Sequence, residues 1–117
     1  MFLEKLNTVS SRISGSLALS LVDRDGITVE SVSSEPSLDL EALAAEMVAQ
    51  HRAMTENHRE LSGGKVHLLS VTTSRVTLMV SSVTQDYYLL LVLSHEGSQG
   101  QARFELRRAE LLLADEL

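Results

Sequence analysis

The spacing of apolar positions switches between two periods along the chain and predicts eight elements. Phe2, Leu6, Val9 and Ile13 recur at 4-3-4 spacing, so residues 2–14 are expected to form an amphipathic helix with Gly15 as its stop. Leu17, Leu19 and Leu21 then alternate with Ala18, Ser20 and Val22, the period-two pattern of a strand. Asp23-Arg24-Asp25-Gly26 reads as a tight reversal. Residues 27–32 read as a second strand, in which Thr28 and Glu30 indicate a wet face or an edge. Residues 33–37 hold the only proline, Pro36, and form a loop.

From Leu38 to Leu61 the helical period returns. Leu40, Leu43, Ala44, Met47, His51, Met54, His58 and Leu61 make one buried stripe. Ser37 or Asp39 can cap it, Glu41 in the first turn suits the helix dipole, and Ser62-Gly63-Gly64 ends it. Nearly opposite runs a second row, Ala42, Ala45, Ala49 and Ala53, with Glu46, Arg52, Glu56 and Glu60 around it. One stripe is enough to reach one core. The alanine row is therefore either a good helix former left in water or a smooth surface for another element.

Residues 65–72 and 76–81 alternate as third and fourth strands, joined at Thr73-Ser74-Arg75. After the turn at Thr84-Gln85-Asp86, Tyr87 to Leu93 is apolar on both faces, which predicts a central strand covered on both sides. A Gly/Ser loop over 94–100 precedes a last helix with Ala102, Leu106, Ala109, Leu113 and Leu117 as its core stripe. The order is α-β-β-α-β-β-β-α. Two hairpins and one crossover helix predict an α/β (α+β) sandwich: a five-stranded, mostly antiparallel sheet with helices on both faces.

Composition narrows the function. With 117 residues, the chain is expected to be one domain, 1–117. It has no Cys, so disulfides and Cys-ligated metal centres are excluded. A net charge of −6 argues against nucleic acid and anionic membrane as partners. Neither a signal peptide nor a spanning segment is legible, so a cytoplasmic location is expected.

Catalytic patterns fail on inspection. Ser62-Gly63-Gly64-Lys65 looks like the tail of a phosphate loop, but that loop needs Gly at Arg59 and Ser or Thr at Val66. Asp23, Asp25 and Gly26 echo a calcium loop whose first acidic ligand would fall at Leu21. His51 and His58, seven apart on one helix, stand ~10 Å apart along its axis, too far for shared metal ligation at ~2 Å. His67 and His95 complete the histidines, and all four read as ordinary side chains. The expectation is a protein with no active site, no metal and no cofactor of its own.

Three segments then carry a resemblance. They are LALSLVDRDGITV at 17–29, LEALAAEMVAQHRAMTENHREL at 40–61, and YLLLVLSHEGSQGQARFELRRA at 88–109. In this order and spacing they resemble the roadblock, or dynein light chain 7, family, and within it the bacterial MglB proteins. The resemblance covers nearly the whole chain and implies a roadblock/profilin-like sandwich. It also implies a homodimer in which the long helix and third strand of each subunit pair with their copies. Such dimers serve as platforms for small Ras-like GTPases. MglB proteins accelerate hydrolysis on MglA by rearranging the GTPase's own residues, without inserting an arginine. By this likeness Ala45, Ala49, Arg52, Ala53 and Glu56 are the residues expected to meet a GTPase. The chain stops at Leu117, so the C-terminal extension of some MglB proteins is not expected.

Edge chemistry points to the same dimer. The third strand, apolar and guarded only by Lys65, is an aggregation risk unless covered, and pairing with a two-fold copy covers it. Val66, Leu68 and Ser70, with Ala42 and Glu46 on the helix flank, are the expected self-contacts. Two other readings compete: a dimeric scaffold or adaptor with no effect on nucleotide, and a small-ligand sensor, which needs a cavity with convergent polar groups.

Overall fold

The computed structural model describes residues 2–57 and 64–117. The elements are α1 (Leu3–Ser11), β1 (Ser16–Asp23), β2 (Thr28–Ser33), α2 (Leu40–Asn57), β3 (Leu68–Thr72), β4 (Val76–Ser82), β5 (Tyr87–Ser94) and α3 (Gln99–Ala114). This is the order read from the sequence. The end of the long helix expected at Ser62-Gly63, with His58 and Leu61, lies outside the described residues.

One five-stranded sheet runs β2-β1-β5-β4-β3. All four pairings are antiparallel, where the sequence suggested mostly so. The connections form one hairpin and a three-stranded meander, with α2 carrying the chain from one edge to the other. β5 is central, and Tyr88 to Leu93 are all buried. Alternation explains how one strand serves two cores. Leu89, Leu91 and Leu93 face α1 and α3 together with Leu19, Leu21, Leu6, Leu106 and Leu113. Tyr88, Leu90 and Val92 face α2 together with Ala44, Met47, Val48 and Val80. The polar positions in β2 have their cause too, because β2 is an edge strand.

Local chemistry sets the ends of the helices. Asp39 is the cap of α2: its Oδ1 accepts from the Ala42 N–H at 3.1 Å. α3 begins at Gln99, earlier than expected, because the Ser98 hydroxyl accepts from the Gln101 N–H at 3.2 Å. Gly100 therefore lies in the helix, not the loop, and Leu117 falls beyond the helix end. α1 stops at Ser11, before the expected 14.

β3 also starts later than the alternation suggested. Val66 and His67 precede it. The His67 carbonyl accepts from the His51 Nε2 at 3.0 Å and from the Ser82 N–H at 3.1 Å. These bonds turn the chain on its way into the strand, so Val66 and Leu68 do not share a face. Val66 lines a depression beside His51 and Arg52 on the α2 side. Leu68 packs against the α1/α3 core.

Candidate partner-binding surface

Among the described residues, the outer edge of β3 and the outer face of α2 are left uncovered. The ladder pattern shows which β3 groups are free. In an antiparallel pair, residues alternate between bonding toward the neighbour and away from it. The His67 carbonyl bonds to Ser82, and the Thr73 N–H to the Val76 carbonyl at 2.8 Å. Odd-numbered residues thus face β4, in the register Leu69↔Val80 and Val71↔Leu78. The backbone groups of Leu68, Ser70 and Thr72 consequently point outward from the sheet.

The side chains of β3 divide between the two faces. Leu68 packs toward α1 and α3, and Leu69 toward α2. Val71 lies on the α2 side and is 39% exposed. Leu69 and Val71 count in the sequence among the apolar residues of this edge, but not among the expected self-contacts. The signal was the second phase of the alternation, in register with the α2 core, while the apolar start at Val66 drew attention to the first.

On α2 the expected stripe is confirmed at Ala44, Met47 and His51, all buried, with Val48 added. Ala42, Ala45, Glu46, Ala49 and Glu56 are exposed, and Arg52 and Ala53 are half-buried. The residues assigned to self-association on α2 and those assigned to a GTPase therefore form one continuous surface. Leu68 and Ser70 lie across the sheet from it.

The β1–β2 turn supports one flank of this surface. Asp23 Oδ1 accepts from the N–H groups of Asp25 at 2.9 Å and Ile27 at 3.0 Å. This folds the turn so that Gly26, at φ +83°, lies directly on Ala45. Arg52 is tied to the same turn: its Nη1 donates to the Arg24 carbonyl at 3.0 Å, and its Nη2 stands 3.7 Å from Glu56. These contacts lay the Arg52 side chain against the turn and along α2.

Beneath the surface, His51 is 2% exposed and packs edge-on to the Tyr88 ring at 5.0 Å. Its Nε2 carries the proton, since it donates to a carbonyl; its buried Nδ1 has no partner among the described residues. Burial, above all, holds its pKa below the ordinary 6.5. On the far face, the His67 ring meets Glu110 at 2.8 Å, and Arg107 meets Glu110 at 3.3 Å. Burial raises the Glu110 pKa above its ordinary 4.5, although His67 and Arg107 oppose this. His67 thus joins α2 through its backbone and α3 through its side chain.

These shifts set a pH dependence. His51 takes up a proton more readily unfolded than folded, so its contribution is complete above pH 6.5 and declines as pH falls below that. Glu110 acts oppositely: folded, it protonates first, and stability is regained as pH falls from its raised value toward 4.5. Denaturant unfolding between about pH 7.5 and 5.5 is expected to show a loss of stability that His51→Leu flattens. An equal slope in the variant would contradict this assignment.

Among the described residues, no group of three or more His, Asp or Glu is placed to hold a metal ion. Among them, also, no helix is long and apolar enough to cross a membrane.

No protein-family model matches the chain, and no curated protein matches it by sequence. Solved structures do. The fold is that of the roadblock/LC7 domains: one from Streptomyces avermitilis superposes with a TM-score of 0.84 at 15% identity, covering 95% of this chain and 92% of that one. The relatives extend to MglB and MglC. The gliding protein MglB of Thermus thermophilus gives a TM-score of 0.86 at 20% identity, over 97% of this chain and 85% of its own; an MglB in a tetrameric arrangement gives the same values. MglC of Myxococcus xanthus is 29% identical, with a TM-score of 0.72 over 99% of this chain and 98% of its own. The roadblock resemblance read from the sequence therefore stands, with relatives of the MglB kind.

Proposed function

We propose that the chain is a homodimeric regulator of a small Ras-like GTPase and acts as a binding and activating platform with no active site of its own. The observation that carries this reading is the pairing of an unfilled strand edge with a smooth helix face. The outward backbone groups of Leu68, Ser70 and Thr72 suit a two-fold copy of β3. Such pairing extends the sheet and sets the two α2 helices side by side on one face. Leu69 and Val71, on that same side, supply apolar surface at the seam. Ala42 and Glu46 lie where a neighbouring helix would pass.

Ala45, Ala49, Ala53 and Glu56 then form the surface offered to the GTPase. Small side chains allow close backbone approach, and a broad alanine face demands little ordering of long side chains. Arg52, fixed to the Arg24 carbonyl, shapes that surface and is not a free finger. Likeness to MglB supports this reading, as does self-association of an MglB in a tetrameric arrangement. The chain's work is done inside the cell, where such GTPases operate.

The test is GTP turnover by the cognate MglA-type GTPase, with and without the protein. Turnover is expected to rise, and Ala49→Glu to abolish the rise while the dimer persists. Binding without acceleration would establish a scaffold instead; absence of both would end the GTPase reading.

A further inference from the structure

The face of the sheet opposite α2 carries a second surface with its own chemistry. On α3, Phe104 and Leu111 are each 62% exposed, and Leu112 is 53% exposed. A spacing of seven places Phe104 and Leu111 two turns apart on one side of the helix. Leu112 forms one wall of a groove of about 220 Å³ between α1 and α3, whose charged lining is Glu4, Lys5 and Arg12. Packing within the chain does not account for this strip, since the α3 core stripe is already buried on the other side. Clustered exposed apolar groups of this size mark interaction sites more often than scattered ones do.

Charge defines the occupant. The chain carries −6 overall, yet the strip is bordered by Arg103, Arg107 and Arg108; across the groove Arg12 stands with Glu4 and with Lys5, which pairs with Glu116. Arg107 and Arg108 are held from below by buried carboxylates, Glu110 and Glu105, each at 3.3 Å. Their outer sides stay exposed. Arg108 also lies over the Phe104 ring at 5.9 Å, so a cation and an apolar anchor are presented together. A second copy across a two-fold axis would set arginines against arginines. An anionic bilayer would meet the repulsion of the whole acidic chain. An acidic helix with its own apolar row meets neither obstacle.

We propose that the outer face of α3 docks an acidic amphipathic helix of a partner protein. The partner's apolar row sits between Phe104, Leu111 and the Leu112 groove, in helix-in-groove fashion. Its carboxylates receive Arg103, Arg107 and Arg108 in charge-assisted hydrogen bonds. The site lies across the sheet from α2, so it stands whether or not α2 serves a GTPase, and both surfaces can be occupied at once.

The test uses the full chain and a fluorescent helical peptide as long as α3, with leucine on one face and glutamate elsewhere. A matched peptide carries lysine for glutamate, and phosphatidylserine-containing vesicles serve as the lipid probe. The glutamate peptide is expected to bind with an affinity that falls as salt rises. Phe104→Glu, and separately Arg103→Glu with Arg108→Glu, are expected to weaken binding about tenfold or more, while Ala49→Glu leaves it unchanged. These residues are exposed, and circular dichroism verifies that the variants fold. Four results would overturn the proposal: no binding, equal binding of the lysine peptide, capture by vesicles in preference to the peptide, or a self-association that Phe104→Glu dissolves.

Discussion

Gly26→Val is expected to be the most damaging single change outside the core, lowering stability by about 3 kcal/mol and, under the proposed function, any stimulation of a GTPase with it. Two costs combine. Gly26 has φ +83°, a left-handed conformation, where an ordinary L-residue costs about 1–2 kcal/mol and a β-branched one more. Its added Cβ would also stand 2.9 Å from the Ala45 Cα, a backbone atom that cannot swing aside. The turn or α2 must move, and Asp23 holds the turn with two hydrogen bonds. Gly64 separates the two costs. It has φ +93° but none of the described residues lies within 4 Å of an added Cβ, so Gly64→Val carries the backbone strain without a clash against them. Denaturant unfolding of the two variants measures the difference. Equal destabilisation would show that Gly26 is not a spacer between the turn and α2.

This close approach explains part of what could and could not be read from the sequence. Asp23-Arg24-Asp25-Gly26 was legible as a turn, because Asp and Gly each have a local reason to be there. That the turn would land on Ala45, making that alanine a contact within the chain as well as an exposed surface, depends on the tertiary path of α2. No local pattern encodes it. Element order was legible because each strand or helix carries its own period. The doubly apolar run from Tyr87 to Leu93 also announced its central place.

The start of β3 was not legible, for a related reason. Val66 and Leu68 fit the alternation, but His67 gives its carbonyl to His51, sixteen residues away. A long-range bond set the boundary, and with it which side chains lie on which face. His51 itself read as one member of an apolar stripe, and its burial conforms to that. Its partner could not be inferred from a helix alone. The exposure of Phe104 and Leu111 leaves no local signature, because the stripe of α3 core residues accounts for the helix by itself.

The second large effect is expected at Ser70. This residue is exposed, and its backbone N–H points away from β4 by the alternation that fixes His67 and Thr73 inward. A proline there removes a donor that the β3–β4 ladder does not use, so the single subunit should retain its fold. In a two-fold seam the same change removes the donor twice and pushes two rings into the approaching strand. At about 1 kcal/mol per lost hydrogen bond, with the steric cost added, the dimer dissociation constant should rise roughly a hundredfold or more. Leu68→Glu changes a side chain that also packs against the α1/α3 core, so it perturbs fold and seam together and distinguishes less well.

In the proposed dimer β3 is the seam and the two α2 helices form the platform. Light scattering coupled to size exclusion, at micromolar concentration, tests this most directly. The wild-type chain should elute with twice the mass of one subunit, and Ser70→Pro with the mass of one, both with native circular dichroism. A wild-type monomer, or a Ser70→Pro dimer as tight as wild type, would contradict it.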